Sequence, residues 1–174
     1  GAYNKIAHLD KEQQKRGVIT ASAGNHAQGV ANACKKLKVP CLIVMPVTAP
    51  EIKVKSVKRF GSKVLLHGDN FDQASKKARQ MAKEQKLEFI EAFDDPLTIA
   101  GQGTVGKEIL DEHNDLDVIF VPVGGGGLLA GISAWVAQTQ TKTKIYGVEV
   151  EDSACLVEAI KADKRVRLRE VGLF

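Results

Sequence analysis

No apolar run in this chain approaches the roughly 20 residues that a membrane-spanning helix needs, so a membrane partner is not expected. Cysteine is scarce: Cys34, Cys41 and Cys155 are odd in number and show no C-x-x-C spacing. That pattern fits reduced, mostly buried thiols of a cytosolic protein and excludes a disulfide framework. The histidines (His8, His26, His67 and His113) show no metal-ligand spacing, and no metal site is expected. An excess of one charge is also lacking. The 25 basic and 21 acidic residues leave a net charge of +4, with the lysines scattered over helical faces. Such lysines read as solvated surface, so no nucleic-acid partner is expected. The N-terminus is polar and helix-like and carries no signal-peptide pattern, which points to a cytoplasmic location. With 174 residues, 44% of them apolar, the chain makes one domain or two small lobes.

What is present is organised around Val121-Pro122-Val123-Gly124-Gly125-Gly126-Gly127-Leu128-Leu129-Ala130-Gly131. The apolar run from Val118 to Val123 reads as a buried strand, and the segment after the glycines has helical spacing. Consecutive glycines cost backbone entropy on ordering. A loop accepts that cost when its N–H groups must approach a ligand closely. A strand, a glycine loop and a helix start together make an anion site, with phosphate as the first candidate. A flexible linker would lack the flanking strand and helix patterns.

The rest of the chain supplies further strand–helix units. Ala2 to Arg16 reads as one helix stopped by Gly17, and Val18 to Ala21 as a short buried strand. Ser22-Ala23-Gly24-Asn25-His26-Ala27-Gln28-Gly29 then offers hydroxyl, amide and imidazole groups at the start of a helix that runs to Lys38. Ser22 or Asn25 alone could be an N-cap; a cap needs one polar side chain, and this loop has several. Strands are expected at Cys41 to Met45, Val64 to Leu66 and Phe89-Ile90. The intervening helices are expected from Ala49 to about Phe60, with proline near the first turn, and from a cap at Asp69 to Asp72 to about Gln85. Strands alternating with helices indicate a parallel sheet.

After Asp94-Asp95-Pro96 a helix is expected from Leu97 to about His113. Its opening, Ala100-Gly101-Gln102-Gly103-Thr104, indicates either close helix packing or approach to a ligand. The glycine loop's helix is expected to reach about Gln140, followed by a strand from Ile145 to Val150 and a helix capped by Asp152-Ser153. The fold class is therefore α/β, with two lobes of parallel-sheet βα units joined near Asp95. Ligands bind outside the carboxyl ends of strands in such sheets. Both the Ser22–Gly29 loop and the glycine loop lie at such ends, and a cofactor held between the lobes is the expectation.

At this point the residues carry a resemblance. The Ser22–Gly29 loop, Ile99-Ala100-Gly101-Gln102-Gly103-Thr104 and Val121 to Gly131 resemble the pyridoxal-phosphate enzymes of the tryptophan-synthase-β fold type, known as fold type II. Within them the similarity is to the branch of biosynthetic threonine dehydratases. It extends through Gly1-Ala2-Tyr3, Leu65-Leu66-His67-Gly68, Asn70-Phe71-Asp72, Val148-Glu149, Glu151 to Leu156 and Val171 to Phe174, and so covers essentially the whole chain.

The resemblance implies pyridoxal 5'-phosphate as cofactor and L-threonine, or L-serine, as a small-molecule substrate. It assigns the cofactor phosphate to Gly124, Gly125, Gly126, Gly127 and the N–H of Leu128, and the cofactor's ring hydroxyl to Asn25. Ser22, Gly24, His26 and Gln28 are assigned to the substrate carboxylate. It implies a domain order in which residues 1–16 start the large cofactor domain, 17–95 form a small mobile domain and 96–174 resume the large one. A homo-oligomeric parent enzyme is implied as well.

The family's Schiff-base lysine lies in a Ser-Phe-Lys-x-Arg-Gly-Ala motif, and this chain starts at its Gly-Ala. The expectation is a fragment of the catalytic domain, truncated at both ends, with its lysine upstream of Gly1 and no catalytic residue of its own. Lys5 is expected to be a solvated helix lysine. Ala23 stands where serine racemases carry a proton-exchanging serine, which favours elimination over racemisation. Glu149 aligns with a cation ligand of some relatives, but Val150-Glu151-Asp152 departs from their pattern and no metal is assigned. The alternatives are a catabolic serine/threonine dehydratase, a serine racemase, or, from another class, a non-catalytic nucleotide- or phosphate-binding module. The last would want Gly-x-Gly-x-x-Gly after the first strand, which the Ser22–Gly29 loop lacks.

Overall fold

A computed structural model describes residues 1–139, 142–166 and 168. They fall into two units, Gly1–Ala92 and Phe93–Phe174.

The first unit is built on four short parallel strands, β1 (Val18–Ala21), β2 (Cys41–Met45), β3 (Lys63–Leu66) and β4 (Glu88–Phe89), in the order β3-β2-β1-β4. Every residue of β1 is buried, as expected of a central strand covered on both faces. Alternate residues serve two cores. Val18, Ile43 and Met45 pack with Ile6, Leu9, Val30, Ala31 and Val57, which come from α1 (Ala2–Ala7), α3 (Asn25–Leu37), α4 (Glu51–Arg59) and the turn after α1. Ile19, Ala21 and Val44 point the other way, onto Ala74, Ala78 and Ala82 of α5 (Phe71–Glu84).

The opening segment differs from the expected single helix. α1 ends at Ala7 and α2 runs from Lys11 to Arg16. Between them Leu9 turns into the core, and Asp10 caps α2 in a capping box: its carboxylate accepts from Gln13 N at 2.7 Å, while Gln13 Oε1 accepts from Asp10 N at 3.0 Å. Lys5 also differs from the solvated residue expected. Its side chain is only 15% exposed, and its Nζ lies 3.9 Å from Glu88.

The second unit contains α6 (Pro96–Glu112), β5 (Val118–Pro122), α7 (Gly127–Val136), β6 (Lys144–Val148) and α8 (Cys155–Ala162). β5 and β6 pair in parallel, Val118 with Lys144 through Pro122 with Val148. Ile119 and Val121 pack on Leu110, Ile132 and Val136. The opposite face is open and apolar, with Phe120 and Tyr146 stacked at 5.7 Å between ring centroids. α6 starts where Asp95 accepts from Leu97 N and Thr98 N at 2.9 and 3.0 Å, with Pro96 in the first turn.

The glycine interruption in α6 is close helix packing. A Cβ on Gly103 would lie 3.0 Å from Gly131 O, and one on Gly106 would lie 3.3 Å from the Ile132 side chain. α7 ends at Val136, short of the expected Gln140, which lies outside the described residues. β6 stops at Val148, before the expected Val150. The expected cap at Asp152-Ser153 is also corrected. Glu151–Ser153 form a 3-10 turn, and α8 begins after Ala154 with no side-chain cap from that residue.

Candidate functional site

In the second unit, β5 ends at Pro122 and the chain passes through Val123 and the glycines into α7. Val123 N–H donates to Val148 O at 2.8 Å, so the loop leaves from a fixed strand end. The glycines have separate structural reasons. Gly126 is the N-cap of α7 at φ +83°, a left-handed conformation that favours glycine. A Cβ on Gly125 would fall 2.2 Å from the Phe93 ring, and one on Gly127 would fall 2.8 Å from Phe93 Cα. Gly124 and Gly126 face open space. The loop is therefore pressed against Phe93 on one side and open on the other.

No side chain caps α7. Its first intrahelical bond from beyond the loop is Ala130 N to Gly126 O, at 2.9 Å. The N–H groups of Gly127, Leu128 and Leu129 thus form the uncapped positive end of the helix dipole. A cavity of about 300 Å³ lies there, lined by Phe93, Ile99, Gly125, Gly126, Gly127 and Arg165 among others. A second, of about 250 Å³, adds Gly124, Cys155 and Leu156. Arg165 is exposed and pairs with Asp94 at 3.3 Å. Open space over Gly124 and Gly126, unfilled by any Cβ, beside uncapped N–H donors fits an anionic phosphate.

Glu149, just past β6, closes this end of the unit. Its carboxylate accepts from Leu156 N and Val157 N, both at 2.9 Å, and so caps α8 from a distance in sequence. Cys155 Sγ is 3.5 Å from Gly124 O and 3.7 Å from Glu149 Oε1. Glu149 is thus engaged by backbone N–H groups, and no cluster of three or more His, Cys, Asp or Glu able to hold a metal occurs among the described residues.

In the first unit, the Ser22–Gly29 loop lies at the carboxyl end of β1. Ser22 and Asn25 both fail as the helix cap: the N-cap is Gly24, and no side chain caps α3. Ser22 instead shapes the loop, its N–H donating to Val44 O at 3.2 Å and its Oγ accepting from Gly24 N at 3.1 Å. The first-turn N–H groups of Asn25, His26 and Ala27 remain uncapped. Asn25 is exposed, and Gln28 is half-buried.

His26 has a defined protonation state. Thr20 Oγ1 donates its one proton to Ile90 O at 2.8 Å. His26 Nε2 lies 3.1 Å from Thr20 Oγ1 and 3.2 Å from Ile90 O, and both can only accept from it. The proton therefore sits on Nε2. Burial pushes the imidazole below its usual pKa, so the ring is neutral and Nδ1 is an acceptor. The ring anchors α3 to the strands, and the donors this helix start leaves uncapped are its backbone N–H groups.

Each unit therefore holds one of the two expected loops at a strand's carboxyl end. Phe93, Thr20 and the capping role of Glu149 were missed in the sequence. Phe93 lies in an irregular turn with no periodic signal, and the other two depend on partners distant along the chain.

A family model described as pyridoxal-phosphate-dependent enzyme matches residues 1–172. A biosynthetic L-threonine dehydratase of Pasteurella multocida is 53% identical over 174 residues, covering 100% of this chain and 34% of that protein. A mitochondrial threonine dehydratase of Schizosaccharomyces pombe is 54% identical over 176 residues, covering 100% of this chain and 29% of that protein. The structure of the processed form of threonine deaminase isoform 2 from Solanum lycopersicum superimposes with a TM-score of 0.94 at 44% identity, covering 98% of this chain and 50% of that one. This chain spans about a third of the length of the curated relatives it matches.

Proposed function

We propose a function from one premise: this chain belongs to the pyridoxal-phosphate-dependent enzymes, whose family model it matches over residues 1–172. Its fold is the parallel-sheet α/β fold of that family. The reading is that residues 1–174 form part of the catalytic domain of a lyase that converts L-threonine to 2-oxobutanoate and ammonia, a step of isoleucine biosynthesis. The observation that carries it is the glycine-lined, uncapped start of α7 at the end of β5. The relatives named threonine dehydratase or deaminase support the substrate.

When bound, pyridoxal phosphate supplies an electron sink for the charge left at the substrate's α-carbon. The protein's part is to bind and orient. The N–H groups of Gly127 and Leu128, with Gly125 and the open glycines Gly124 and Gly126, are assigned the phosphate. Asn25 is assigned the ring hydroxyl. The uncapped N–H groups at the start of α3, with Ser22, Gly24 and Gln28, are assigned the substrate carboxylate. His26, neutral and tied to Thr20 and Ile90, holds that helix start in place.

Among the described residues no lysine lines the cavities at the glycine loop. Lys5 is paired with Glu88. The anchoring lysine is assigned to a segment outside residues 1–174. Residues 1–16 and 96–174 are assigned to the large domain of the complete enzyme, and 17–95 to its small domain. L-serine is a second substrate, and the complete enzyme is a homo-oligomer. A cytoplasmic location is part of the same reading; among the described residues no helix is long and apolar enough to cross a membrane.

Ala23 carries no exchangeable proton, which supports elimination over racemisation. The test uses the full-length polypeptide that contains these residues, supplied with pyridoxal phosphate and L-threonine or L-serine. Oxoacid from threonine without D-serine is the expected outcome. D-serine would overturn the reading of Ala23, and neither product would return the chain to a phosphate-binding module.

A further inference from the structure

Cys34 lies in the last turns of α3 and Cys41 opens β2. The chain reverses between them. Lys38 takes a left-handed conformation, and Val39 N–H donates to Cys34 O at 3.0 Å. This turn brings the two thiols to one pocket of about 330 Å³, lined also by Lys35, Lys38, Phe60 and Ser62. The Ser62 hydroxyl shares this lining with both thiols. Cys34 is 2% exposed, whereas Cys41 is half-buried and also lines a separate pocket of about 310 Å³ with Arg16 and Lys63. Cys41 is thus reached from solvent through openings lined by basic side chains, and Cys34 stands behind it.

We propose that Cys34 and Cys41 are a peroxide-responsive dithiol, with Cys41 the attacking thiol and Cys34 the resolving one. The Cys34 thiol and the Ser62 hydroxyl beside Cys41 hold it below its ordinary pKa, while the pairing with Cys41 and burial push Cys34 up. The Cys41 thiolate attacks one oxygen of hydrogen peroxide. The O–O bond breaks, hydroxide leaves and is protonated to water, and Cys41 becomes a sulfenic acid. The Cys34 sulfur then attacks the Cys41 sulfur. The S–O bond breaks, and the departing hydroxide takes up the Cys34 proton as a second water. Two thiols are oxidised to one disulfide and one peroxide is reduced to two waters. Lys35, Lys36, Lys38 and Pro40 are exposed, so bridging asks for movement in a surface turn rather than in the core.

The bridge would tie the last turns of α3 to the sheet. The opposite end of that helix carries the Ser22–Gly29 loop. None of the residues assigned to the proposed lyase site lines these two pockets, so the test of the pair does not depend on activity.

The experiment treats the native chain with hydrogen peroxide, blocks free thiols with iodoacetamide under denaturing conditions and digests with trypsin without reduction. The expected product is the peptide 17–35 joined to 39–53, lost on adding dithiothreitol. In a Cys34→Ser variant Cys41 is trapped by dimedone as sulfenic acid, and in a Cys41→Ser variant Cys34 stays reduced. Full alkylation of both cysteines after peroxide would overturn the proposal. So would sulfinic acid at Cys41 beside a free Cys34, or a bridge from either to Cys155.

Discussion

A Cβ built on Gly131 would lie 2.4 Å from the carbonyl oxygen of Ile99. That oxygen belongs to the backbone of α6 and cannot swing aside as a side chain would, so α6 and α7 approach this closely only because residue 131 is glycine. Gly131→Ala is expected to destabilise the second unit by about 3 kcal/mol, the upper end of ordinary overpacking. Gly124→Ala meets nothing within 4 Å and is expected to leave stability within about 0.5 kcal/mol of the parent. Urea denaturation of the two variants side by side checks the contrast. Equal losses would mean that the glycine loop and the helix crossing are not separate structural requirements.

His26 gives a pH signature. Its folded-state pKa lies below the ordinary value of about 6.5 because burial disfavours the imidazolium. Below that ordinary value the unfolded chain binds a proton that the folded chain refuses, so stability falls as pH drops through this window and is fully present above it. His26→Gln removes the titrating ring. The expected result is that the stability difference between neutral and mildly acidic pH is smaller in the variant than in the parent. The same acid loss in both proteins would show that the ring is not buried neutral.

Glu149 is predicted to hold the first turn of α8. Glu149→Ala leaves the N–H groups of Leu156 and Val157 without their acceptor and is expected to cost about 1 kcal/mol, as loss of a cap does. Glu149→Gln keeps one acceptor oxygen and recovers part of the loss. Amide hydrogen exchange at Leu156 and Val157 is the readout; unchanged protection in the alanine variant would remove Glu149 from this role.

The strands of the first unit were legible because Val18 to Ala21 and Cys41 to Met45 are continuous apolar runs between turn signals, as central parallel strands must be. The glycine loop was legible for a similar reason, since an apolar strand and a helical pattern flank it. The Gly-Gln-Gly interruption of α6 was not, because glycine serves ligand approach and helix contact equally well. Only the positions of Ile99, Gly103 and Gly131 in space decide for contact. His26 reads in sequence as one more polar group in a polar loop. Its anchoring role depends on Thr20 and Ile90, the latter 64 positions away. Glu149 was missed as a cap because it stands outside the usual N-cap position, and the polar pair Asp152-Ser153 mimicked that position while forming a 3-10 turn.

The central claim is that the start of α7 holds the cofactor's phosphate. The most direct test follows backbone amide shifts of the isotope-labelled chain during titration with pyridoxine phosphate, which carries the phosphate but no aldehyde to react with surface lysines. Pyridoxine itself is the control. The account predicts shifts centred on Gly126, Gly127 and Leu128 with the phosphate compound and none there with the control. Equal shifts with both compounds, or shifts that leave these amides untouched, would contradict it.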